Sequence, residues 1–358
     1  KFIDEVENLA KERALKAFKL NPDEWSVNVQ PYSGSPANLA VYLALLKRGE
    51  KIMGLDLFHG GHLTHGFKTS YSGRLFISIP YHVKDGSIHF EELEKLAKKH
   101  KPKIIVSGTT AYPRILDFKK FYEISKKVGA YHLADIAHIA GMVIAGLHPS
   151  PFPFADIVTM TTHKTLRGPR GAVIFMREEL EEKINKSVFP ALQGGPHMHT
   201  ISGIAFAFGR TQKKEFLNYQ KQIVKNSKKL AKELIKRGFE LYTGGTDNHL
   251  MMIDLRNLDV EGKVAESLLE SANIVANRNF LEGDVSVLKP SGIRLGTPAI
   301  TSRGMKEKEM IKIAEFFERI LIKKESPQKV KKEVINFVKK FPLPYDSWLN
   351  KIKEFLEK

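Results

Sequence analysis

A lysine stands just before a turn in the segment Asp156-Ile-Val-Thr-Met-Thr-Thr-His163-Lys164-Thr-Leu-Arg-Gly-Pro-Arg170-Gly171. Ile157, Val158 and Met160 read as a short buried strand, Gly168 and Pro169 as a turn, and Ala172–Met176 as a second strand. Lysine is ordinarily a solvated surface charge. At the end of a buried strand, its amine gives up a proton more easily and can attack a carbonyl carbon. Alone, the segment reads as a loop lysine near a strand end. Its companions elsewhere in the chain change the balance.

Asp135 ends Tyr131-His-Leu-Ala-Asp135, a run expected to be a strand covered on both faces, so its ionised carboxylate needs a cationic partner. A structural salt bridge satisfies that need. Beside a strand-end lysine, the same carboxylate is suited to holding a protonated pyridine nitrogen. In Ser33-Gly34-Ser35-Pro36, Ser35 is expected as a helix N-cap with Pro36 in the first turn. The free N–H groups and hydroxyls there suit phosphate, although a plain helix cap explains them equally well. His59, His62 and His65 are spaced by three, but the glycines between them make a loop that does not fix their directions. A metal site is therefore not expected; a flat ring over a ligand and a structural loop are both open. Arg294, inside the apolar segment Ser291–Ile300, offers a charged fork that matches a carboxylate, or a structural ion pair.

The elements that must position these residues alternate. Helical periodicity over 3–19 places Val6, Leu9, Ala10, Ala14 and Phe18 on one stripe, and a strand is expected at Val27–Gln30 with an apolar helix at Leu39–Leu46. Strands follow at Ile52–Leu55, Leu75–Ile79, Lys103–Val106 and Tyr131–Asp135, with helices at Phe90–His100 and Asp117–Val128. This is the rhythm of a mainly parallel sheet covered by helices, in which ligands collect at the carboxyl ends of strands. Thr109-Thr110, Asp135 to His138, and His163-Lys164 all fall at such ends. A long, charged helical region at Glu178–Arg237 is broken at Gln193–Pro196. The domain boundary is placed near Lys213, giving a large domain, 1–212, and a small C-terminal α/β domain, 213–358. The latter is expected to hold strands at Phe239–Tyr242, Leu250–Leu255 and Ile274–Asn277, and helices at Gly262–Ala272, Lys306–Ile322, Gln328–Lys340 and Ser347–Lys358.

Composition narrows the function classes. The 358 residues are 42% hydrophobic and 27% charged, as in ordinary globular proteins, and no apolar run approaches the roughly 18 residues that a membrane helix needs. Zero cysteines exclude disulfides and thiolate metal sites and fit a reducing cytoplasmic setting. The net charge of +17 comes mostly from lysine pairs such as Lys98-Lys99 and Lys228-Lys229, without clustered arginines among aromatics, which argues against a nucleic-acid partner. The chain opens on Lys1 inside a helical pattern, so a preceding segment is expected.

Seven motifs together carry a resemblance: Ser33–Asn38, His59–Gly66, Asp135–His138, Thr161–Gly171, Gln193–Pro196, Gly244–His249 and Ser291–Pro298. In sequence order they closely resemble the serine hydroxymethyltransferase family, over residues 1 to about 320. The resemblance implies an α/β fold, the pyridoxal-phosphate-dependent transferase fold type I. Lys164 would form the internal aldimine with pyridoxal 5'-phosphate, and Asp135 would hold the pyridine nitrogen. Ser33, Gly34 and Ser35 match the phosphate-binding turn, His62 the histidine stacked on the ring, and Thr110 and His138 neighbours of its phenolic oxygen. Thr161 and His163 match active-site residues beside the lysine. Arg294 matches the group that grips the amino-acid carboxylate, Arg170 a supporting arginine, and Asn279 a contact to tetrahydrofolate, the cosubstrate. Gly194 and Gly195 resemble a loop that reaches the phosphate of a neighbouring subunit, implying an obligate homodimer with shared active sites.

The implied activity interconverts serine and glycine, passing one carbon to or from tetrahydrofolate. Family members normally carry a further N-terminal arm of roughly 60 residues, too small to count as a domain, with a glutamate and tyrosines, and that arm is expected to precede the start of this sequence. Two rivals stay open: a folate-independent threonine aldolase of the same fold, and a catalytically idle basic relative that binds RNA.

Overall fold

The computed structural model describes residues 1–284 and 289–345, together with 349, 352 and 353. It divides into two compact units, Lys1–Gln220 and Lys221–Lys358. In the first unit, the chain runs through α1 (Phe2–Phe18), β1 (Trp25–Asn28), α2 (Gly34–Leu45), β2 (Lys51–Leu55), α3 (Tyr71–Leu75) and β3 (Ile77–Tyr81). A small hairpin of β4 (Val83–Lys84) and β5 (Ser87–Ile88) follows, then α4 (Phe90–His100), β6 (Ile104–Gly108), α5 (Phe118–Val128), β7 (Tyr131–Asp135) and α6 (Ala140–Ile144). After β8 (Ile157–Thr161) and β9 (Ala172–Arg177) come α7 (Glu181–Lys186), α8 (Met198–Thr211) and α9 (Lys214–Lys236), the helix in which the two units divide.

Among the described residues this unit holds a seven-stranded sheet in the order β1-β9-β8-β7-β6-β2-β3. The β3, β2, β6, β7 and β8 strands pair in parallel, whereas β9 is antiparallel to both β8 and β1. Side chains alternate between faces along each strand. Ile104, Val106, Leu133, Ile157 and Ile174 form one buried cluster with Ala37, Ala40, Val41 and Tyr42 of α2. Each fully buried aliphatic side chain of this kind contributes roughly 1.5–3 kcal/mol. On the opposite face, His132 stacks on Phe121 of α5, with ring centroids 6.0 Å apart.

Several boundaries differ from the sequence reading for local reasons. The N-cap of α2 is Ser33, in an extended conformation, and Ser35 lies inside the first turn. Pro36 does not force a later start, because its missing N–H would have no helical partner there anyway. The first strand ends at Asn28 rather than Gln30, because the Asn28 side chain accepts the Gln30 N–H and turns the chain. Tyr71–Leu75 is helical, capped by the Ser70 side chain, so the following strand starts at Ile77. On α1 the buried residues are Ala10, Ala14 and Ala17, while Leu9 is exposed: α1 lies against α8, and the small residues face the contact.

The second unit carries an antiparallel sheet in the order β10 (Glu240–Leu241), β11 (Leu250–Asp254), β13 (Gly292–Gly296) and β12 (Asn277–Asn279). The segment around Arg294 is thus a strand, and the strand expected at Ile274–Asn277 begins only at Asn277. Around the sheet are α10 (Gly262–Ser271), α11 (Pro298–Ser302), α12 (Glu307–Phe317) and α13 (Pro327–Val338), with Met251, Ile253, Leu269, Ile293, Phe316 and Phe317 in the core. The helix expected over 347–358 lies outside the described residues, apart from positions 349, 352 and 353.

Candidate active site

Four parallel strands end at one cavity of about 260 Å³ in the first unit. Ser33, Gly34, Ser35, Asn38, His62, Thr109, Thr110, Asp135, Ala137, His138, Thr161, His163, Lys164 and Arg170 line it. His62 follows β2, Thr109 and Thr110 follow β6, Asp135 closes β7, and His163 and Lys164 follow β8. From α2 come its first residues and Asn38, one turn on.

The Asp135 carboxylate is the most heavily engaged group. Its Oδ2 accepts from His65 Nε2 at 3.0 Å and from Asn38 Nδ2 at 2.8 Å, and its Oδ1 accepts from the Ala137 N–H at 3.1 Å. Burial by itself would push its pKa up. The hydrogen bonds from His65 and Asn38 and the field of the imidazoles outweigh burial, holding the acid well below the usual carboxylate range. The sequence called for a cationic partner, and the fold supplies aimed hydrogen-bond donors. Two glycines leave the space: a Cβ on Gly108 would meet Asp135 Cβ at 2.7 Å, and one on Gly54 would meet His65 Cβ at 2.8 Å.

The three histidines of the loop after β2 diverge. His59 Nδ1 lies 3.0 Å from the Val83 carbonyl, His62 Nδ1 lies 2.8 Å from Thr64 Oγ1, and His65 Nε2 reaches Asp135. Burial, followed by the field of His65, lowers the pKa of His62 to about 4, so at neutral pH its ring is uncharged.

The turn bearing Lys164 is pinned from several sides. Thr162 Oγ1 donates to the Pro169 carbonyl at 2.7 Å, the Gly168 N–H donates to the Thr162 carbonyl at 2.7 Å, and Arg167 takes a left-handed conformation at φ 60°. Thr165 Oγ1 donates to the His138 carbonyl, and Gln220 Nε2 donates to the Thr165 carbonyl. Thr161 Oγ1 donates to the Ala137 carbonyl at 3.2 Å. The pKa of His163 is lowered by burial and then by the Arg170 and Lys164 charges; its Nδ1 is buried without a hydrogen-bond partner among the described residues.

Other expected residues lie elsewhere. Gly195 is not in the cavity lining; its carbonyl accepts from the Tyr32 hydroxyl at 2.9 Å, and space around both Gly194 and Gly195 is open. Arg294 and Asn279 belong to the second unit, on β13 and β12. There, Arg294 Nε donates to Asn277 Oδ1 at 3.2 Å, and burial draws the guanidinium pKa down. Sequence reasoning missed Asn38, Thr64, His65 and Thr159 as parts of the site. One signal was present: Asn38 is an amide directly before the mainly apolar run Leu39–Leu45 of the same helix.

The donor set fits pyridoxal phosphate: hydroxyls and a helix start for the phosphate, a low-pKa carboxylate for the ring nitrogen, a flat neutral imidazole and a lysine amine. The serine hydroxymethyltransferase family model matches residues 1–317. A serine hydroxymethyltransferase of Bombyx mori is 47% identical over 389 residues, covering 96% of this chain and 84% of the relative. Those of Caenorhabditis briggsae and Caenorhabditis elegans are 52% and 51% identical over 336 residues, covering 88% of this chain. The chain spans 66%, just under two thirds, of the length of each of these two relatives. With a match across most of its length and a cavity at the carboxyl ends of a mainly parallel sheet, the chain belongs to the serine hydroxymethyltransferase family, pyridoxal-phosphate transferases of fold type I.

Proposed function

We propose that this chain interconverts serine and glycine with pyridoxal 5'-phosphate as cofactor and tetrahydrofolate as one-carbon carrier. One observation carries the reading: Lys164 and Asp135, from different strand ends, line the same cavity together with His62 and the Ser33–Ser35 turn. When bound, pyridoxal phosphate supplies an electron sink for the pair left at Cα when a bond there breaks.

The chain's own residues do the rest. The first turn of α2, with Ser33 and Ser35, would hold the phosphate, and Lys164 would hold the aldehyde carbon. Asp135, kept ionised, would hold the proton on the pyridine nitrogen, and the uncharged His62 ring would cover the face of the heterocycle without adding a competing charge. Thr110 and His138 would flank the phenolic oxygen. Thr161, pinned to the Ala137 carbonyl, and His163 are assigned to the substrate side of the lysine, with Arg170 in support. In the second unit, Arg294 is assigned to the amino-acid carboxylate, where a planar fork fixes orientation, and Asn279 to the folate. The first unit is thus the cofactor-binding domain. The open Gly194–Gly195 loop is assigned to a neighbouring subunit's phosphate in a homodimer.

The test is the visible spectrum of the purified protein with pyridoxal phosphate, before and after glycine and tetrahydrofolate. A cofactor band that glycine shifts and tetrahydrofolate shifts further is expected, along with serine cleavage that depends on folate. Cleavage indifferent to folate would replace this reading with that of an aldolase.

A further inference from the structure

Hydrogen-bond directions around Asp135 follow from one fact: an ionised carboxylate only accepts. Asn38 must therefore turn its amide nitrogen toward Asp135 and its Oδ1 toward Thr159, whose hydroxyl donates to it at 2.7 Å. The second hydrogen on Asn38 Nδ2 goes to Thr64 Oγ1 at 2.9 Å. With its oxygen accepting there, the Thr64 hydroxyl directs its own hydrogen to His62 Nδ1 at 2.8 Å, and the Thr64 backbone N–H reaches the same nitrogen at 3.2 Å. On the other arm, His65 gives its Nε2 hydrogen to Asp135, which leaves Nδ1 bare to accept the His62 backbone N–H at 3.3 Å. The circuit closes on itself. Asn38, Thr64, His65 and Thr159 are all buried, so water does not compete for these bonds.

We propose that Asn38 is a positioning residue which, through the Thr64 hydroxyl, couples the Asp135 carboxylate to the His62 ring and fixes that ring as a neutral imidazole protonated on Nε2. Neither Asn38 nor Thr64 needs to touch a reacting atom for this. The lining carboxylate and the lining imidazole are set by one chain of donors, so that the ring carrying no charge and the group carrying a full charge keep fixed orientations. The catalytic consequence rests on the function proposed above; the tautomer assignment does not.

The experiment uses the full chain with ¹⁵N-labelled histidine, read by long-range nitrogen correlation with and without pyridoxal phosphate, alongside serine cleavage. Both His62 and His65 are expected to show a bare Nδ1 and a protonated Nε2 before any cofactor is added. Thr64→Val, which keeps the shape and removes the hydroxyl, should shift the His62 Nδ1 signal and lower kcat roughly 10-fold with KM for serine little changed. Thr64→Ser should restore both. Asn38→Ala should move the His62 signal as well and lower kcat further, roughly 100-fold, and the double variant should fall no further than Asn38→Ala alone. A His62 proton on Nδ1 in the unaltered protein, a Thr64→Val variant indistinguishable from Thr64→Ser, or additive losses in the double variant would each overturn the relay. Should the protein fail to cleave serine at all, the proposed reaction falls, and the histidine signals still decide the relay.

Discussion

His132 and Asp135 leave β7 on opposite faces of one sheet. Each is tied into a hydrogen-bonded cluster. On the α5 face, His132 Nδ1 donates to the Phe154 carbonyl, and its Nε2 accepts from the Ser107 hydroxyl at 2.6 Å. Ser107 and His132 are fully buried, and the cavity does not reach them. Asp156 completes the residue types of a nucleophilic triad, yet its carboxylate takes the backbone N–H of His132, not the ring. On the α2 face, the donors to Asp135 come from a loop and a helix, and the carboxylate itself lines a cavity. Similar residue types give a sealed structural cluster on one face and a chemically addressable one on the other. The difference lies in strand parity and in which strand end opens to a ligand, not in the side chains.

The sharpest way to break this contrast is at the cavity. Lys164→Ala should abolish borohydride-fixed labelling by pyridoxal phosphate, read by mass spectrometry, and lower serine cleavage by on the order of 1,000-fold or more. Asp135→Asn should cost on the order of 100-fold in kcat with a much smaller change in KM, because the carboxylate acts on the developing charge and not on substrate binding. If His132→Gln lowers kcat as much as Asp135→Asn while the protein stays folded, the two faces are not functionally distinct.

Acid sharpens the comparison. Burial, opposed by the Phe154 carbonyl and Asp156, holds the pKa of His132 at about 4 against an ordinary 6.5. The unfolded chain therefore binds a proton that the folded chain refuses between those values. Stability from this group is fully present above pH 6.5 and is lost as pH falls toward 4, a difference of roughly 3 kcal/mol. Urea titrations at pH 7, 5.5 and 4.5 should show this fall, and it should flatten in His132→Gln. The smallest effect is expected from Ser107→Ala, about 1–2 kcal/mol of stability with kcat within twofold, measured by denaturation and turnover on the same sample.

Much of this was legible beforehand, and for definite reasons. Phe90–His100 and Tyr131–Asp135 were readable to the residue because amphipathic period and short β-prone runs are local signals. The lysine, the aspartate and the serine turn could be picked out because each falls at an element end. Asn38 and His65 could not be assigned, since their meaning lies in hydrogen bonds across 97 and 70 positions of chain. The start of α2 was misplaced because a serine can cap from either side of Gly34, and only the backbone conformation decides.

The amino-acid order determined which residue types stand at the element ends and on which side of each strand they emerge, because residue type and the two-residue period of a strand are properties of the chain itself. Tertiary structure decided which of them share a cavity, which are sealed, and which way every proton in the Asp135 circuit points. Those outcomes depend on approach distances between segments far apart in sequence, and a difference of an ångström makes or removes each bond.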